Sequence, residues 1–357
     1  MIYLDHASTS PLLPEVRDAM EPWLAVPANA GSAHRAGQRA AVAVEEAREA
    51  VAALLGRPSA GLVFGSGATE ANHHGLAIAA ARGARTAALS SIEHPCVASA
   101  VERAGLERVS LPVDREGRIQ LGGGSVDVVC CMAVNHETGV RQDLVGARQA
   151  GDWLHCDAAQ ALGKGPVPGL ADADSVVLSA HKLGGPIGVG ALSLRHPDVG
   201  VPVFGGGGQE RGLRSGTVNV PGVVGFGRAC AVARREASSR NARWCALAGR
   251  LRAGLRSLGA REMGGGADRV STHTCVVFDG IEGETLVQAL DLRGFAVSSG
   301  SACASGSSEP SPVLLAMGEL HPRGALRVSL GPHSSASDID ALLAVLPELL
   351  AALSHVG

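Results

Sequence analysis

Aromatic residues are scarce in this chain: five Phe, three Trp and one Tyr, 3% of the total. A core of stacked rings is therefore excluded, and the interior must be filled by Ala, Val and Leu. No run of 18 apolar residues occurs, and no charged-then-apolar leader starts at Met1, so a soluble cytoplasmic protein with no membrane contact is expected. Basic blocks are also missing. With a net charge of −3, nothing suggests direct nucleic-acid binding. The eight cysteines show neither CxxC nor zinc-type spacing, which argues for thiols and against a disulfide framework or a metal site. No GKS or GKT follows any Gly-rich turn, so a nucleoside triphosphate loop is not expected. What is present is 357 residues, 46% hydrophobic, enough for one large globular domain and a smaller one. The 48 glycines imply many turns and close backbone contacts.

Short apolar runs alternate with helical spacing along most of the chain. Strands are expected at 62–64, 86–90, 108–111, 126–134, 153–156, 176–178 and 274–279. Helices are expected at 15–24, 38–55, from about 70 to 81, 97–104, 284–292, 312–320 and 339–353, with one long connecting helix from Val220 to about Trp244. Strands alternating with helices argue for a mostly parallel α/β sheet.

The chemistry gathers where these strands end. Val176-Val177-Leu178 reads as a buried strand that stops in Ser179-Ala180-His181-Lys182, followed by Gly184-Gly185-Pro186, which no helix can continue through. A hydroxyl, an imidazole and an amine thus sit at the end of a core strand, where ligands bind in open α/β sheets. A lysine desolvated there can form a Schiff base. Earlier strands end in the same manner. Gly65-Ser66-Gly67-Ala68-Thr69 offers a hydroxyl and helix N–H groups to a phosphate. His94, Asn135, and Asp157 with Gln160 follow the next strands. A lone lysine in a Gly-rich turn is more often a surface residue, but polar residues at five successive strand ends reverse that balance. An acid about 25 residues before a lysine suits pyridoxal phosphate (PLP), the acid keeping the pyridine nitrogen protonated and the lysine carrying the aldehyde.

From Tyr3-Leu4-Asp5-His6-Ala7 to Leu326-Arg327-Val328-Ser329, the segments resemble the cysteine desulfurases of the class V aminotransferase group, a branch of the fold-type I PLP enzymes. The likeness rests on Ser66-Gly67-Ala68-Thr69-Glu70, Glu93-His94, Ala180-His181-Lys182, and Gly206-Gly207-Gly208-Gln209-Glu210-Arg211 running into Arg214-Ser215-Gly216-Thr217. Most specific is Ser298-Ser299-Gly300-Ser301-Ala302-Cys303, which is similar to the group I, long-loop desulfurases.

The resemblance implies a fold-type I PLP-dependent transferase, with a mostly parallel central sheet flanked by helices and a smaller α+β domain. The large PLP-binding domain would span residues 12–236, and residues 1–11 with 237–357 would form the small domain carrying the Cys303 loop. Lys182 would hold PLP, Asp157 would pair with the pyridine N–H, Gln160 would bond the phenolic oxygen, and His94 would stack on the ring and shuttle protons. Thr69, Ser179 and His181 would hold the phosphate. Thr217 would reach the phosphate of the other subunit of a homodimer. Arg327, helped by Asn135, would clamp the substrate carboxylate, and Cys303 would take the sulfur. The implied reaction turns L-cysteine into L-alanine and leaves a persulfide on Cys303 for an acceptor protein or small molecule. Two alternatives stand beside it: a selenocysteine lyase or amine-transferring relative, and a non-catalytic sulfur-relay scaffold. The family usually has two asparagines before Glu137, and here the second is His136. The stretches 121–126 and 143–155 are trimmed relative to the family, and the segment after the last helix is short, which bears on acceptor docking.

Overall fold

The structure is a computed structural model that describes residues 1–122, 124–300 and 310–354. Its strands, in chain order, are β1 (Ile2–Tyr3), β2 (Leu62–Gly65), β3 (Thr86–Ser90), β4 (Glu107–Leu111), β5 (Val126–Cys130) and β6 (Gly151–Asp157). They continue with β7 (Ser175–Ser179), β8 (Gly190–Leu194), β9 (Arg261–Glu262), β10 (His273–Val277), β11 (Phe295–Ala296) and β12 (Ala325–Ser329). The helices are α1 (Pro14–Leu24), α2 (Arg35–Leu55), α3 (Ala68–Ala81), α4 (Pro95–Arg103) and α5 (Leu144–Gln149). After them come α6 (Val220–Arg235), α7 (Ala237–Ser257), α8 (Gly283–Leu292), α9 (Pro312–Ala316) and α10 (Ala336–Ser354).

The central sheet has seven strands in the order β2-β8-β7-β6-β5-β3-β4. All neighbours are parallel except at β8, which runs antiparallel to both β2 and β7. The sequence reading gave no strand at β8. It arises because the Gly-rich turn after Lys182 sends the chain back beside β7. Gly190 on β8 is needed there: a Cβ would lie 2.6 Å from the Gly67 Cα, so only glycine lets this strand approach the loop that opens α3. β7 and β8 are buried along their whole length, as expected of apolar runs covered on both faces.

Helices α1, α2 and α6 cover one face of the sheet, and α3 and α4 the other. The helix starts follow from local chemistry. The His94, Asp143, Asn219 and Ser311 side chains accept the first free N–H groups of α4, α5, α6 and α9, and Pro fills an opening position in α4, α6 and α9. α2 buries Ala40, Val44, Ala47, Val51 and Leu55, one stripe at helical spacing. β9, β10 and β12 form a three-stranded antiparallel sheet that shares a second core with α7, α8 and α10. β1 pairs with β11, and bridges from Asp5 to Ser329 and from Ser298 to Arg327 tie that pair to β12.

Two expected elements are interrupted. The apolar run 126–134 is a strand only to Cys130: beyond it the Cys131 and Ala133 N–H groups still bond the His155 and Asp157 carbonyls of β6, but the Met132 N–H, on the other side, donates to Glu93 Oε1 at 2.7 Å. The helix expected from Val220 to Trp244 is two helices. Glu236 leaves helical geometry (φ −101°, ψ 4°) and its carboxylate binds Arg235 and Arg240, so α6 stays on the large sheet while α7 turns onto the second core. Among the described residues no helix is long and apolar enough to cross a membrane.

Candidate active site

At the strand ends of the large sheet lies a cavity of about 530 Å³. Thr69, His94, Asp157, Gln160, Lys182 and Arg327 line it, and so do Ser179 and His181. Residues from β12 and from the N-terminal segment close it from the other side. Most of these side chains are placed by a strand end or by the turn that follows it, while Thr69 lies in the first turn of α3 and Arg327 in the middle of β12.

Helix α3 opens on Gly67, and no side chain caps its first turn. The N-terminus of this 14-residue helix faces the cavity, beside the Thr69 hydroxyl. Ser179 ends β7, and the single turn after it carries His181 and Lys182. His181 bonds Thr9 Oγ1 through Nδ1 at 3.1 Å. Burial, with Lys182 and Lys164 adding like charge, holds its pKa down to about 4. Helix dipole, hydroxyls and a neutral imidazole together make one end of the cavity an anion cradle.

The Lys182 Nζ donates to the carbonyls of Ala7 and Ser8, each at 2.7 Å. Asp157 ends β6. Its Oδ1 accepts the Ala159 N–H and its Oδ2 the Asn72 Nδ2, both at 2.9 Å. Gln160 is oriented by a second lysine. Lys164 Nζ donates to Gln160 Oε1 at 2.6 Å, so the amide nitrogen is the end that bonds Ala7 O at 2.7 Å. The chain has two lysines in all, Lys164 and Lys182, and both serve this site. His94 Nδ1 accepts the Cys96 N–H at 3.3 Å and meets the Cys96 thiol at 2.9 Å, which puts the proton of the neutral ring on Nε2.

Arg327 crosses from β12. Its guanidinium binds Asp5 Oδ1 at 2.9 Å, Ser8 Oγ at 2.7 Å and the His136 carbonyl at 3.0 Å. Its Nε is buried without a partner among the described residues, and Arg327 lines the cavity, where a planar guanidinium suits a ligand carboxylate. Beneath the site Glu93 is buried, and burial, with Asp157 adding like charge, pushes its pKa up to about 8.

Two sequence candidates lie off this cavity. Asn135 is fully buried: its Oδ1 takes the N–H groups of Glu137 and Thr138, and its Nδ2 reaches Ile92 O. It shapes the turn after β5, and the next residue, His136, is the one that lines the cavity. The His136 ring lies edge-on to His94 at 5.7 Å between centroids, its Nδ1 has no partner among the described residues, and burial holds its pKa near 3. Thr217 is exposed on a loop outside the cavity. That loop is fixed by Glu210, whose carboxylate binds Arg48 at 2.8 and 2.9 Å and Phe64 N at 2.7 Å. These bonds hold Glu210 and Arg211 at φ 46° and 59°, a conformation costing about 1–3 kcal/mol per residue. Cys303 lies outside the described residues. Sequence reading missed Ser8, Asn72 and Lys164 as parts of the site. Ser8 sits two residues past Asp5-His6, Asn72 one turn into the helix after Thr69, and Lys164 four residues after Gln160, and those spacings were the signals available.

The family described as Aminotransferase class-V matches residues 2–342. The chain is 39% identical to a cysteine desulfurase of Rhodobacter capsulatus over 376 residues, covering 99% of this chain and 98% of that one. It is 36% identical to an IscS-like cysteine desulfurase of Mycobacterium tuberculosis, covering 98% and 96%. Among solved structures, a NifS-like protein superposes with a TM-score of 0.88 at 32% identity, covering 98% of this chain and 99% of that one. SspA in complex with cysteine gives 0.77 at 29% identity, covering 94% and 100%.

Proposed function

Because the chain belongs to the class V aminotransferase family and its relatives are cysteine desulfurases, we propose that it is a PLP-dependent cysteine desulfurase working at this cavity. The observation that carries the reading is the convergence of Lys182, Asp157, Gln160, His94 and Arg327 on one space, beside the uncapped start of α3.

The donor set fits PLP. The anion cradle of α3, Thr69, Ser179 and His181 suits a phosphate. The Asp157 carboxylate suits a pyridinium N–H, the amide nitrogen of Gln160 suits a phenolate, and Lys182 supplies the amine. When bound, PLP offers an aldehyde for amines and an electron sink that acidifies the substrate Cα–H. The chain's own residues do the rest. Arg327 binds the carboxylate of L-cysteine and so fixes the Cα–H direction. Lys182 would take the Cα proton. His94, which lines the cavity, would cover the cofactor ring. Cys303 forms an S–S bond with the substrate sulfur as the Cβ–S bond breaks, and the electron pair left on Cβ is protonated. One cysteine and one enzyme thiol thus give one alanine and one enzyme persulfide, which passes to a sulfur acceptor.

We further place Thr217 at the cofactor phosphate of the partner subunit in a homodimer. Its exposure on a rigidly held loop, away from its own cavity, supports this. Division into a large domain (12–236) and a small one (1–11 with 237–357) is supported by the separate second core and by the break at Glu236. A cytoplasmic setting suits the cysteines, which are all unbridged among the described residues.

The test feeds labelled L-cysteine to the PLP-loaded protein and maps the trapped persulfide. Label on Cys303 with stoichiometric alanine, and loss of both in Cys303→Ser, is the expected result. Alanine release undiminished in Cys303→Ser would remove the persulfide step and leave a lyase acting on selenocysteine as the better reading.

A further inference from the structure

Behind the Asp157 carboxylate stands a row of buried polar side chains that the chemistry above does not use. Trp153 and His155 share β6 with Asp157 at alternate positions, so all three point to one face of the strand. Ser175 begins β7 alongside, and Asn72 reaches down from α3. Trp153 is 9% exposed, His155 1%, and Ser175 and Asn72 are fully buried.

Each hydrogen bond in the row has a determined direction. The Trp153 indole N–H can only donate, so Ser175 Oγ accepts it, at 3.0 Å. At the other end Asp157 Oδ2 accepts Asn72 Nδ2 at 2.9 Å, and the same nitrogen reaches Cys96 Sγ at 3.3 Å. Asn72 Oδ1 then accepts from His155 Nε2 at 2.9 Å. Burial holds the His155 pKa near 3, so the ring carries one proton, on Nε2. Its Nδ1 is an acceptor, and the Ser175 hydroxyl donates to it at 2.8 Å. The row therefore runs one way, from indole through hydroxyl, imidazole and amide to carboxylate, with no donor meeting a donor. Room for it is built in: a Cβ on Gly75 of α3 would lie 2.8 Å from His155 Cε1, so only glycine lets the helix close over the ring. Through Cys96, which bonds His94 Nδ1 at 2.9 Å, the Asn72 amide braces both Asp157 and His94.

We propose that Asn72, His155 and Ser175 are positioning residues for Asp157, a one-way hydrogen-bond row that fixes its Oδ2 so that the carboxylate holds the proton of the cofactor's pyridine nitrogen. The proposal rests on the PLP reading above. A row that merely filled space would leave the amide of Asn72 and the tautomer of His155 indifferent. Here the tautomer decides which end of the amide faces Asp157.

The test has one arm without cofactor and one with it. In histidine-¹⁵N-labelled protein, His155 should be neutral, protonated on Nε2, and unchanged from about pH 5 to 9, as burial to a pKa near 3 requires. A proton on Nδ1 overturns the proposal whatever the protein catalyses. In protein loaded with PLP labelled at the ring nitrogen, Asn72→Ala should move the ring-nitrogen resonance toward its unprotonated position. It should also lower kcat about tenfold, the usual weight of one bond to a charged group, with KM little changed. Ser175→Ala, a milder change should Asn72→Ala fail to fold, should shift part of the His155 population to Nδ1–H and move the same resonance partway. An unmoved resonance in variants that still bind PLP removes the proposal alone. A wild-type protein that takes up no PLP removes the functional reading and the proposal together.

Discussion

Lys164 and Lys182 stand a few residues past the ends of neighbouring parallel strands, β6 and β7, and the fold treats them in opposite ways. Lys164 is 7% exposed. Its amine is spent on the Gln160 carbonyl, and burial, with like charge from Lys182 and Arg327, lowers its pKa to about 7. Lys182 lines the 530 Å³ cavity, its amine resting on two backbone carbonyls of the N-terminal segment. The cavity side of Lys182 also holds the Asp157 acid and the anion cradle, whereas Lys164 has a glutamine in front of it. On the proposed reading, what separates the nucleophile Lys182 from the positioning amine Lys164 is access and neighbours, not residue type.

Removing Lys182 gives the largest effect expected. Lys182→Ala should lower alanine formation by about a thousandfold or more, since both the covalent anchor and the Cα base are lost. Its melting temperature should stay close to wild type, because the side chain contributes little to either core. Comparable losses from Lys164→Met would break the contrast.

Arg327→Lys comes next. The planar fork that meets Asp5, Ser8 and a substrate carboxylate cannot be reproduced by an ammonium. KM for cysteine should rise by about thirtyfold, roughly 2 kcal/mol, with kcat less affected. Steady-state kinetics on both variants of the wall, Arg327→Lys and Asp5→Asn, should rank Asp5→Asn well below it, since Asp5 acts through the arginine.

Lys164→Met sharpens the comparison through stability. A lysine whose folded pKa is depressed from 10.5 to about 7 costs the folded state most below pH 7, and stability is regained as pH rises from 7 to 10.5. The variant should therefore be more stable than wild type at pH 6, by on the order of 3 kcal/mol, and the gap should close by pH 10. Thermal unfolding at both pH values reads it. Turnover should fall about tenfold, because Gln160 loses the partner that orients its amide. A pH-independent difference would show that Lys164 is charged in the folded protein.

Glu93→Gln should change least. With a folded pKa near 8, Glu93 is protonated at neutral pH, so glutamine is close to isosteric and isoelectronic, and activity at pH 7 should stay within about twofold. The raised pKa means that the wild type loses stability as pH climbs from about 4.5 to 8. The variant should thus melt higher than wild type at pH 9 and match it at pH 4.5.

Most of the large sheet was legible because its strands are short, apolar and closed by polar residues: β2, β3, β6 and β7 fall where the runs Leu62–Phe64, Thr86–Ser90, Trp153–Cys156 and Val176–Leu178 predict them. The exceptions have tertiary causes. β8 follows a glycine stretch with no strand signature of its own and exists because Gly190 packs on Gly67. Past the end of β5 the Met132 N–H goes to Glu93, thirty-nine residues away. The break at Glu236 is decided by two cores pulling adjacent helices onto different surfaces. At the site, Lys182, Asp157, Gln160, His94 and Arg327, each singled out by a recognisable motif, line one cavity. The exchange between Asn135 and His136 was not legible. Adjacent residues in a turn point in different directions, and only the backbone path decides which one faces the cavity.

The central claim is that Lys182, not Lys164, carries the cofactor. With two lysines in the chain, one measurement decides it: borohydride reduction of the PLP-loaded protein followed by peptide mapping of the fixed label. The account predicts label on Lys182 alone, and none in Lys182→Ala. Label on Lys164, or no fixed label in a protein that turns over cysteine, would contradict it.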